Sequence, residues 1–351
     1  MSSRFLLYGS SGFVGDVIAR QAVHAGLEPI LAGRNAAKVE NQATELGVEA
    51  RVFPLEDATA LDHALKEVAV VLHCAGPYIY TYKPMVEACL RTGTHYLDIT
   101  GEIPVYEGLA ARDAEAQAKG VMLLPGVGFD VVPTDCLAVH LKQRLPSAIR
   151  LTLAFHGQGP AGLPPGTQRT AIELVPYGKY MRRDGRLESP RWIVKTRLID
   201  FGRGPIPATW MTWGDVFMAW YSTGIPNIDD YLVLSKRNRQ LTNMMNALRP
   251  LFKLRVMRNY FRGAIRPGPT PEERARSVTH VWGEVEDEHG QRAVSRLHGP
   301  DAGVTWTAQT ALATVQKVLT GKFIPGFQTP GRAYGADFVL EGEGVTREDL
   351  D

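Results

Sequence analysis

Short apolar runs and amphipathic segments alternate along the first 145 residues of the chain. The apolar runs predict buried strands, and the segments with apolar residues at helical spacing predict helices. The predicted strands cover residues 4–8, 28–32, 49–53, 69–73, 95–98 and 121–124. The predicted helices cover residues 13–25, 36–47, 57–67, 82–92, 105–119 and 133–144. This alternation predicts an α/β fold, a doubly wound parallel sheet that binds its ligand at the carboxyl ends of the strands.

The pattern changes after about residue 150, where apolar residues alternate singly with polar or small ones. Leu151, Leu153 and Phe155 show the alternation that is typical of a strand with one buried face. A hairpin is predicted over residues 278–298, and a further helix over residues 304–320. The second part of the chain is therefore predicted to be a mixed α+β unit.

These elements predict two domains. Residues 1–145 form the α/β domain, and residues 304–351 are expected to pack back on it and complete it. Residues 146–303 form the mixed α+β domain, which we expect to hold the substrate and to close over the site.

A glycine-rich turn joins the first predicted strand to the first predicted helix, with glycines spaced GxxGxxG. Such glycines supply the backbone angles of the turn, the close approach of a pyrophosphate and the tight packing of helix on strand. The helix N-terminus adds free N–H donors for the phosphates. The turn therefore predicts a Rossmann dinucleotide-binding domain, with an unspecific tight turn as the alternative. The predicted cofactor contacts here are Gly9, Ser10, Ser11, Gly12, Phe13, Val14 and Gly15.

The residue after the second predicted strand indicates which dinucleotide is bound. NAD enzymes place Asp or Glu there, about 20 residues beyond the glycine loop, on the ribose 2′-hydroxyl. This chain has Arg34. A guanidinium can donate two parallel hydrogen bonds to a 2′-phosphate, and Lys38 adds positive charge. We therefore predict NADP(H) as cofactor, with Asn35 also in contact; the alternative is a solvated arginine that begins a surface helix.

The loops after the later strands supply further candidates, because the carboxyl ends of parallel strands share one edge of the sheet. The predicted cofactor contacts in these loops are Asp57, Cys74, Ala75, Gly76, Pro77 and Tyr78. A reductase also needs an acid that supplies a proton, and Tyr78, Glu102 and Asp130 are the candidate catalytic residues. Each has a structural alternative: Tyr78 packs under its loop, and the two carboxylates cap helices or tie loops together.

A second possible anion site lies in the predicted mixed domain, where Gly166 and Thr167 lead into a helix. Free N–H groups and the threonine hydroxyl can bind an anion there, and a simple N-cap is the alternative. Thr167 and Arg169 are the predicted substrate contacts.

The amino-acid composition limits the classes of function that the chain can have. The chain of 351 residues is 44% hydrophobic and 22% charged, and its net charge of +2 is too small to indicate a nucleic-acid partner. The three cysteines are widely spaced and match no metal pattern, so we expect reduced thiols and no metal. No signal-type segment or membrane span is visible, which predicts a cytoplasmic protein.

One basic segment points to a partner. Residues 231–271 contain nine Lys and Arg and no Asp or Glu, and five apolar residues share one helical face. A basic amphipathic helix can lie peripherally on an anionic membrane or attract an acidic carrier protein. A solvated basic face over a core stripe is the alternative. The other predicted partners are a small-molecule or acyl substrate and a second copy of the chain in a homodimer. The five apolar residues are Leu241, Met244, Met245, Leu248 and Phe252.

Several motifs together resemble the saccharopine dehydrogenase-like oxidoreductases, and the bacterial trans-acting enoyl reductase-like branch is the most similar. Their order and spacing match as well, strongly over residues 1–140 and more thinly beyond. The resemblance implies NADP binding at residues 9–15, 34 and 74–78, and a second mixed domain that closes over the nicotinamide. The motifs are Gly9–Gly15, Ala32–Asn35, Cys74–Tyr78, Tyr96–Glu102, Gly128–Asp135, Gly166–Thr167 and Gly326–Pro330.

The sequence therefore predicts an NADP-dependent oxidoreductase that reduces an activated C=C bond of an acyl, lipid or polyketide-type substrate. No tyrosine is followed by lysine four residues later, so the dyad of the short-chain dehydrogenases is absent. Two alternatives stay open. One is a saccharopine-type oxidoreductase acting on an amino-acid imine, and the other is a non-catalytic NADP-binding sensor.

Overall fold

The computed structural model describes residues 4–190 and 195–350. The chain forms two compact units. The first contains residues 1–130 and 304–333, and the second contains residues 131–303 and 334–351. Strands and helices are numbered below in chain order through both units.

The first unit is built on a parallel sheet of seven strands. Its order is β15-β6-β5-β4-β1-β2-β3, so the two halves of the sheet diverge from β1 and β4 at its centre. This is the doubly wound Rossmann order, which confirms the predicted fold class. The strands are β1 (Phe5–Tyr8), β2 (Pro29–Gly33), β3 (Ala50–Val52), β4 (Val70–His73), β5 (His95–Asp98), β6 (Met122–Leu124) and β15 (Gly326–Phe327).

The helices of this sheet differ from the prediction in two places. The fourth begins at Tyr78, four residues before the predicted start at 82. The predicted helix 105–119 is two helices, because the Arg112 N–H bonds three residues back to Leu109 and tightens the turn there. The helices are α1 (Phe13–His24), α2 (Ala36–Leu46), α3 (Ala58–Leu65), α4 (Tyr78–Thr92), α5 (Ile103–Ala110), α6 (Asp113–Ala118), α13 (Thr307–Leu319) and α14 (Pro330–Tyr334).

The second unit contains a mixed sheet of nine strands. The main path is β10-β11-β12-β7-β13-β14-β16, in which β12 and β7 run parallel and the other pairs are antiparallel. The strands are β7 (Arg150–Gln158), β8 (Met181–Arg183), β9 (Arg186–Glu188), β10 (Thr196–Asp200), β11 (Pro205–Met211), β12 (Asn227–Leu232), β13 (Val278–Glu286), β14 (Arg292–Pro300) and β16 (Thr346–Leu350).

Helices cover this second sheet and connect its strands. None of the helices in the described ranges is long and apolar enough to cross a membrane. The helices are α7 (Val132–Arg144), α8 (Pro165–Leu174), α9 (Asp215–Thr223), α10 (Lys236–Ala247), α11 (Arg255–Arg262) and α12 (Pro271–Ala275). Shorter helical turns cover Val175–Tyr177, Arg249–Lys253, Ala302–Trp306 and Phe338–Glu341.

The units divide the chain at other residues than the sequence predicts. Helix α7 lies in the second unit, where a Cβ added to Gly283 of β13 would come within 2.6 Å of Leu141 Cδ1. Strand β16 also belongs there, because it pairs with β14. The boundary therefore falls at residue 130 instead of 145. Of residues 304–351, only 304–333 return to the first unit.

Candidate cofactor and active site

The glycine loop lies between β1 and α1, at the centre of the first sheet. Gly9 has a φ of +87°, and a Cβ added there would lie 2.9 Å from the backbone nitrogen of Ala75, so glycine is required. The Gly9 N–H donates to the carbonyl of Ala32 at 2.7 Å. The loop is therefore held between the ends of β2 and β4, at the switch point where Rossmann domains bind a dinucleotide.

The first turn of α1 is open to an anion. Gly12 precedes the helix without a side-chain cap, and the first bond inside the helix joins the Asp16 N–H to the Gly12 carbonyl at 2.8 Å. The N–H groups of Phe13, Val14 and Gly15, which begin the helix, are therefore available to phosphate oxygens. The hydroxyl of Ser10 is buried and has no hydrogen-bond partner in the described part of the chain. An uncapped helix end beside an orphaned hydroxyl fits a bound pyrophosphate, and the predicted contacts Ser11, Phe13 and Val14 border it.

Gly15 packs α1 against the loop, and it supports the first testable prediction. A Cβ at this position would lie 2.3 Å from the carbonyl oxygen of Gly9, so Gly15→Ala must push the helix away from the strand. We expect a loss of about 1–3 kcal/mol of stability and weaker NADPH binding, measured by thermal unfolding and fluorescence titration. Gly162→Ala is the control, because nothing lies within 4 Å of its added Cβ. Equal behaviour of the two variants would contradict the prediction.

Arg34 and Lys38 form a positive edge at the start of α2. Asn35 caps this helix, since its Oδ1 accepts the Lys38 N–H at 3.1 Å. Both cationic side chains are exposed, and within residues 4–190 and 195–350 neither pairs with a carboxylate. The first turn of α2 contains no acidic residue. NAD enzymes have a carboxylate at this place, whereas this chain has two exposed cations. Such cations fit a ribose 2′-phosphate.

Asp57 has a structural role in this unit. Its carboxylate caps α3 and accepts the Ala60 N–H at 3.0 Å. Capping of the helix is therefore a sufficient reason for an aspartate at this position after β3, and no ligand is needed to explain it. Contact between Asp57 and the cofactor stays a prediction.

The loop from Cys74 to Tyr78 follows β4 and touches the glycine loop. The Cys74 N–H donates to the Tyr8 carbonyl at 2.7 Å, and the Gly76–Pro77 peptide bond is cis. Thr81 holds the loop from α4, since its hydroxyl donates to the Ala75 carbonyl at 2.8 Å. The backbone of this loop is thus held beside the glycine loop. The cofactor contacts predicted for this loop stay a prediction.

Glu102 holds the start of α4. It is fully buried, and its two carboxylate oxygens accept the N–H groups of Tyr78 and Ile79 at 2.8 and 2.7 Å. Both oxygens are therefore engaged at the positive end of a helix, where a negative charge is stabilised. This geometry supports a positioning role for Glu102 more than the predicted catalytic one. It also explains why α4 begins at Tyr78.

Tyr78 is buried at the start of α4. Its ring meets the buried ring of His73 edge-on at a centroid distance of 5.4 Å. Burial raises the pKa of Tyr78 well above its usual value, and the nearby acidic groups raise it further. The phenol therefore keeps its proton at neutral pH. The acidic groups are Cys74, Asp98, Glu102 and Asp130.

Asp98 is a further candidate site residue, which the sequence analysis does not single out. It ends β5, and its carboxylate accepts the Tyr96 hydroxyl at 2.6 Å and the N–H groups of Thr100 and Gly126 at 3.0 and 2.9 Å. Burial raises the pKa of Asp98 to about 6, although these three bonds lower it. Asp98 thereby ties together the loops after β5 and β6. The available signal was an acid at the end of an apolar strand, within the Tyr96–Glu102 motif.

Asp130 ends the loop after β6 and approaches the loop after β5. A Cβ added to Gly101 would lie 3.1 Å from Asp130 Oδ2, so the carboxyl packs against backbone there. Burial raises the pKa of Asp130 to about 7, and the negative charge of Glu102 adds to this shift. A carboxyl with such a pKa can hold and release a proton near neutral pH, as a general acid requires.

The predicted substrate contacts lie elsewhere, in α8 of the second unit. The residue that caps this helix is Pro164, so Thr167 falls inside the first turn instead of at the cap, and no side chain caps it. Arg169 is exposed. Their contact with a substrate stays a prediction. In the described ranges, no group of three His, Cys, Asp or Glu residues is arranged to hold a metal ion.

The first unit is thus a Rossmann domain whose glycine turn, orphaned hydroxyl and open cations fit a phosphorylated dinucleotide. Comparison with known proteins identifies it further. Residues 5–124 match the family described as saccharopine dehydrogenase NADP binding domain. This stretch belongs to that family, as the motifs predicted, and the cofactor of the chain is NADP(H).

Curated relatives agree with this family. The human protein named saccharopine dehydrogenase-like oxidoreductase is 29% identical over 192 residues, which cover 48% of this chain and 44% of the human protein. The trans-acting enoyl reductase of Mycobacterium leprae is 34% identical over 148 residues, which cover 40% of this chain and 35% of that protein. The matched region spans less than half the length of either relative. The similarity to these two relatives is therefore limited to part of the chain and to part of each relative.

A solved structure shows the same fold over the whole chain. The apo saccharopine dehydrogenase (L-Glu forming) of Saccharomyces cerevisiae matches with a TM-score of 0.68 at 14% identity, covering 99% of this chain and 100% of that one. The α/β architecture with a second mixed unit is therefore the fold of saccharopine dehydrogenase.

Proposed function

We propose that the protein is an NADPH-dependent reductase of an activated carbon–carbon double bond in an acyl substrate of lipid or polyketide type. Bound NADPH supplies the hydride for such a reduction. The residues of the chain must then position the cofactor and provide one proton at neutral pH. Asp130 is the proposed proton donor, because its pKa of about 7 matches this task.

The other residues of the cluster support this donor. Glu102 fixes the start of α4, and with it the ring of Tyr78. Asp98 holds the loops after β5 and β6 together through their backbone N–H groups. The buried phenol of Tyr78 retains its own proton, and it serves as a second hydrogen-bond donor toward the reacting substrate.

The observation that carries the proposal is the charge of this cluster. The carboxyl groups of Asp98, Glu102 and Asp130 raise the pKa of Tyr78, and Glu102 raises that of Asp130. An amino-acid substrate with several carboxylates requires cations around it. A neutral acyl chain does not. The sequence similarity to the trans-acting enoyl reductase of Mycobacterium leprae also supports an acyl substrate.

A substrate panel tests the proposed function. The full chain is incubated with NADPH and trans-2-enoyl thioesters of short and long chain, and in parallel with saccharopine and NADP⁺ and with amino-acid/keto-acid pairs. We expect the NADPH absorbance to fall only with the enoyl thioesters. Oxidation of saccharopine would overturn the proposal in favour of an amino-acid oxidoreductase. Tight NADPH binding without turnover of any substrate would overturn it in favour of a sensor.

A further inference from the structure

The basic segment, residues 231–271, folds as α10, the helical turn Arg249–Lys253 and α11 in the second unit. Neither α10 nor α11 contains a buried residue. The predicted apolar face is divided in the structure. Phe252 is fully buried, whereas Leu241 and Met244 are exposed at 45% and 46%. Phe252 thus packs inside the unit, whereas other large apolar side chains of the same segment lie in solvent.

The inner face of α11 is fixed by a buried carboxylate. Glu173 of α8 is 1% exposed and pairs with Arg258 Nε at 3.2 Å and with Arg262 Nη2 at 2.6 Å. A buried acid with two arginines is a structural anchor that sets the rotation of the helix. These two cations are thus committed within the unit, and the other cations of the segment must account for any attraction to a partner.

The solvent side of α11 carries two large apolar side chains. Val256 and Tyr260 are exposed at 80% and 77% and lie four residues apart, on one side of the helix. Each stands two residues from an anchored arginine, and such neighbours point in roughly opposite directions, about 160° apart. Leu254 precedes them and is exposed at 60%. The anchor to Glu173 thus turns Val256 and Tyr260 outward.

We propose that this basic apolar surface docks on an anionic phospholipid bilayer. Its apolar side chains insert at the level of the headgroups, while the cations contact the lipid phosphates. The absence of any Asp or Glu over residues 231–271 suits a uniformly negative partner. The rim of a protein interface instead pairs polar groups of both signs. The residues that we assign to this surface are the exposed apolar side chains Leu241, Met244, Leu254, Val256 and Tyr260 and the exposed cations Lys236, Arg237, Lys253 and Arg255.

Vesicle flotation of the full chain tests the proposal. We expect binding to phosphatidylcholine vesicles that contain about one third phosphatidylglycerol, none to pure phosphatidylcholine, and release by salt. Val256→Ser with Tyr260→Ser is expected to weaken binding about 10-fold, because both inserted side chains are lost. Lys236→Gln with Arg237→Gln and Lys253→Gln is expected to weaken it at low salt and to remove much of the salt dependence.

Matched controls change exposed residues outside the surface. Leu198→Ser removes an apolar side chain that is 67% exposed, and Lys66→Gln with Lys119→Gln and Arg186→Gln removes three exposed charges. Both controls should bind vesicles like the parent chain. No vesicle binding, equal binding to neutral vesicles, or unchanged binding of the Val256/Tyr260 variant would overturn the proposal. Dissociation of a dimer by the Val256/Tyr260 variant, or displacement of vesicles by an acyl carrier protein, would assign the surface to a protein partner and also overturn it.

Discussion

Asp130→Asn is expected to lower kcat for enoyl thioester reduction at least about 100-fold while leaving the affinity for NADPH within about twofold. Asparagine keeps the shape of the side chain that packs against Gly101 but cannot release a proton. The parent enzyme should lose kcat as the pH rises through about 7, because burial raises the pKa of Asp130 to about 7 and the ionised form has no proton to give. Steady-state kinetics across this range, with NADPH titrations, measure both effects.

The stability of the same variant separates a chemical defect from a folding defect. The pKa of Asp130 is raised in the folded chain, so its stabilising contribution is present at low pH and is lost as the pH rises toward 7. Above that pH the parent carries a partly buried charge that interacts with Glu102, and asparagine removes this charge. The melting temperature of the variant at about pH 8 should therefore equal or exceed that of the parent.

Two results would contradict the role of Asp130. One is an unchanged kcat in Asp130→Asn. The other is a loss of kcat with rising pH that persists in the variant, which would move the proton to another group. Tyr78→Phe is the comparison, because it removes the neighbouring phenol and leaves the carboxyl in place. A large loss of kcat in Tyr78→Phe alone would assign the proton to the phenol.

Six of the seven strands of the first sheet were predictable from sequence, and β1, β2, β4, β5 and β6 among them are short and buried on both faces. The two-residue strand β15 was not predicted. A run such as Phe5–Tyr8 is continuously apolar, and it is followed by a glycine turn whose spacing has a physical reason at each position. The strand-end loops follow from the same logic, since parallel strands bring their carboxyl ends to one edge. Tyr78, Glu102 and Asp130 are accordingly all found after strands of this sheet.

The roles of these residues depend on contacts that no local pattern contains. Glu102 caps a helix that begins 24 residues earlier, so neither the start of α4 nor the use of this carboxylate could be predicted from spacing. Asp98 bonds the backbone of Gly126, 28 residues later. Helix α7 follows β6 in the chain but packs on β13, so a periodicity that finds the helix does not tell which unit it joins.

Arg34→Ala is expected to weaken NADPH binding about 10- to 100-fold and to leave NADH binding unchanged. The guanidinium is exposed at the end of β2 and has no carboxylate partner in the described ranges, so its charge is available to the 2′-phosphate that only NADPH carries. Lys38→Ala should produce a smaller loss, because an ammonium provides a point charge without the paired hydrogen bonds. Fluorescence titration with both nucleotides measures each affinity.

The matched control for Arg34 is Arg186→Ala, which removes an exposed arginine from the second unit. It should leave both affinities unchanged, and so exclude an effect of net charge alone. If Arg34→Ala and the parent chain bound NADPH with equal affinity, the role of Arg34 in binding the 2′-phosphate would be refuted. An equal loss of affinity for NADH would instead indicate that the glycine loop is disturbed. A selective loss of affinity for NADPH would therefore show that Arg34 recognises the 2′-phosphate. A loss of affinity for both nucleotides would show that Arg34 supports the glycine loop, which Gly15→Ala also disrupts.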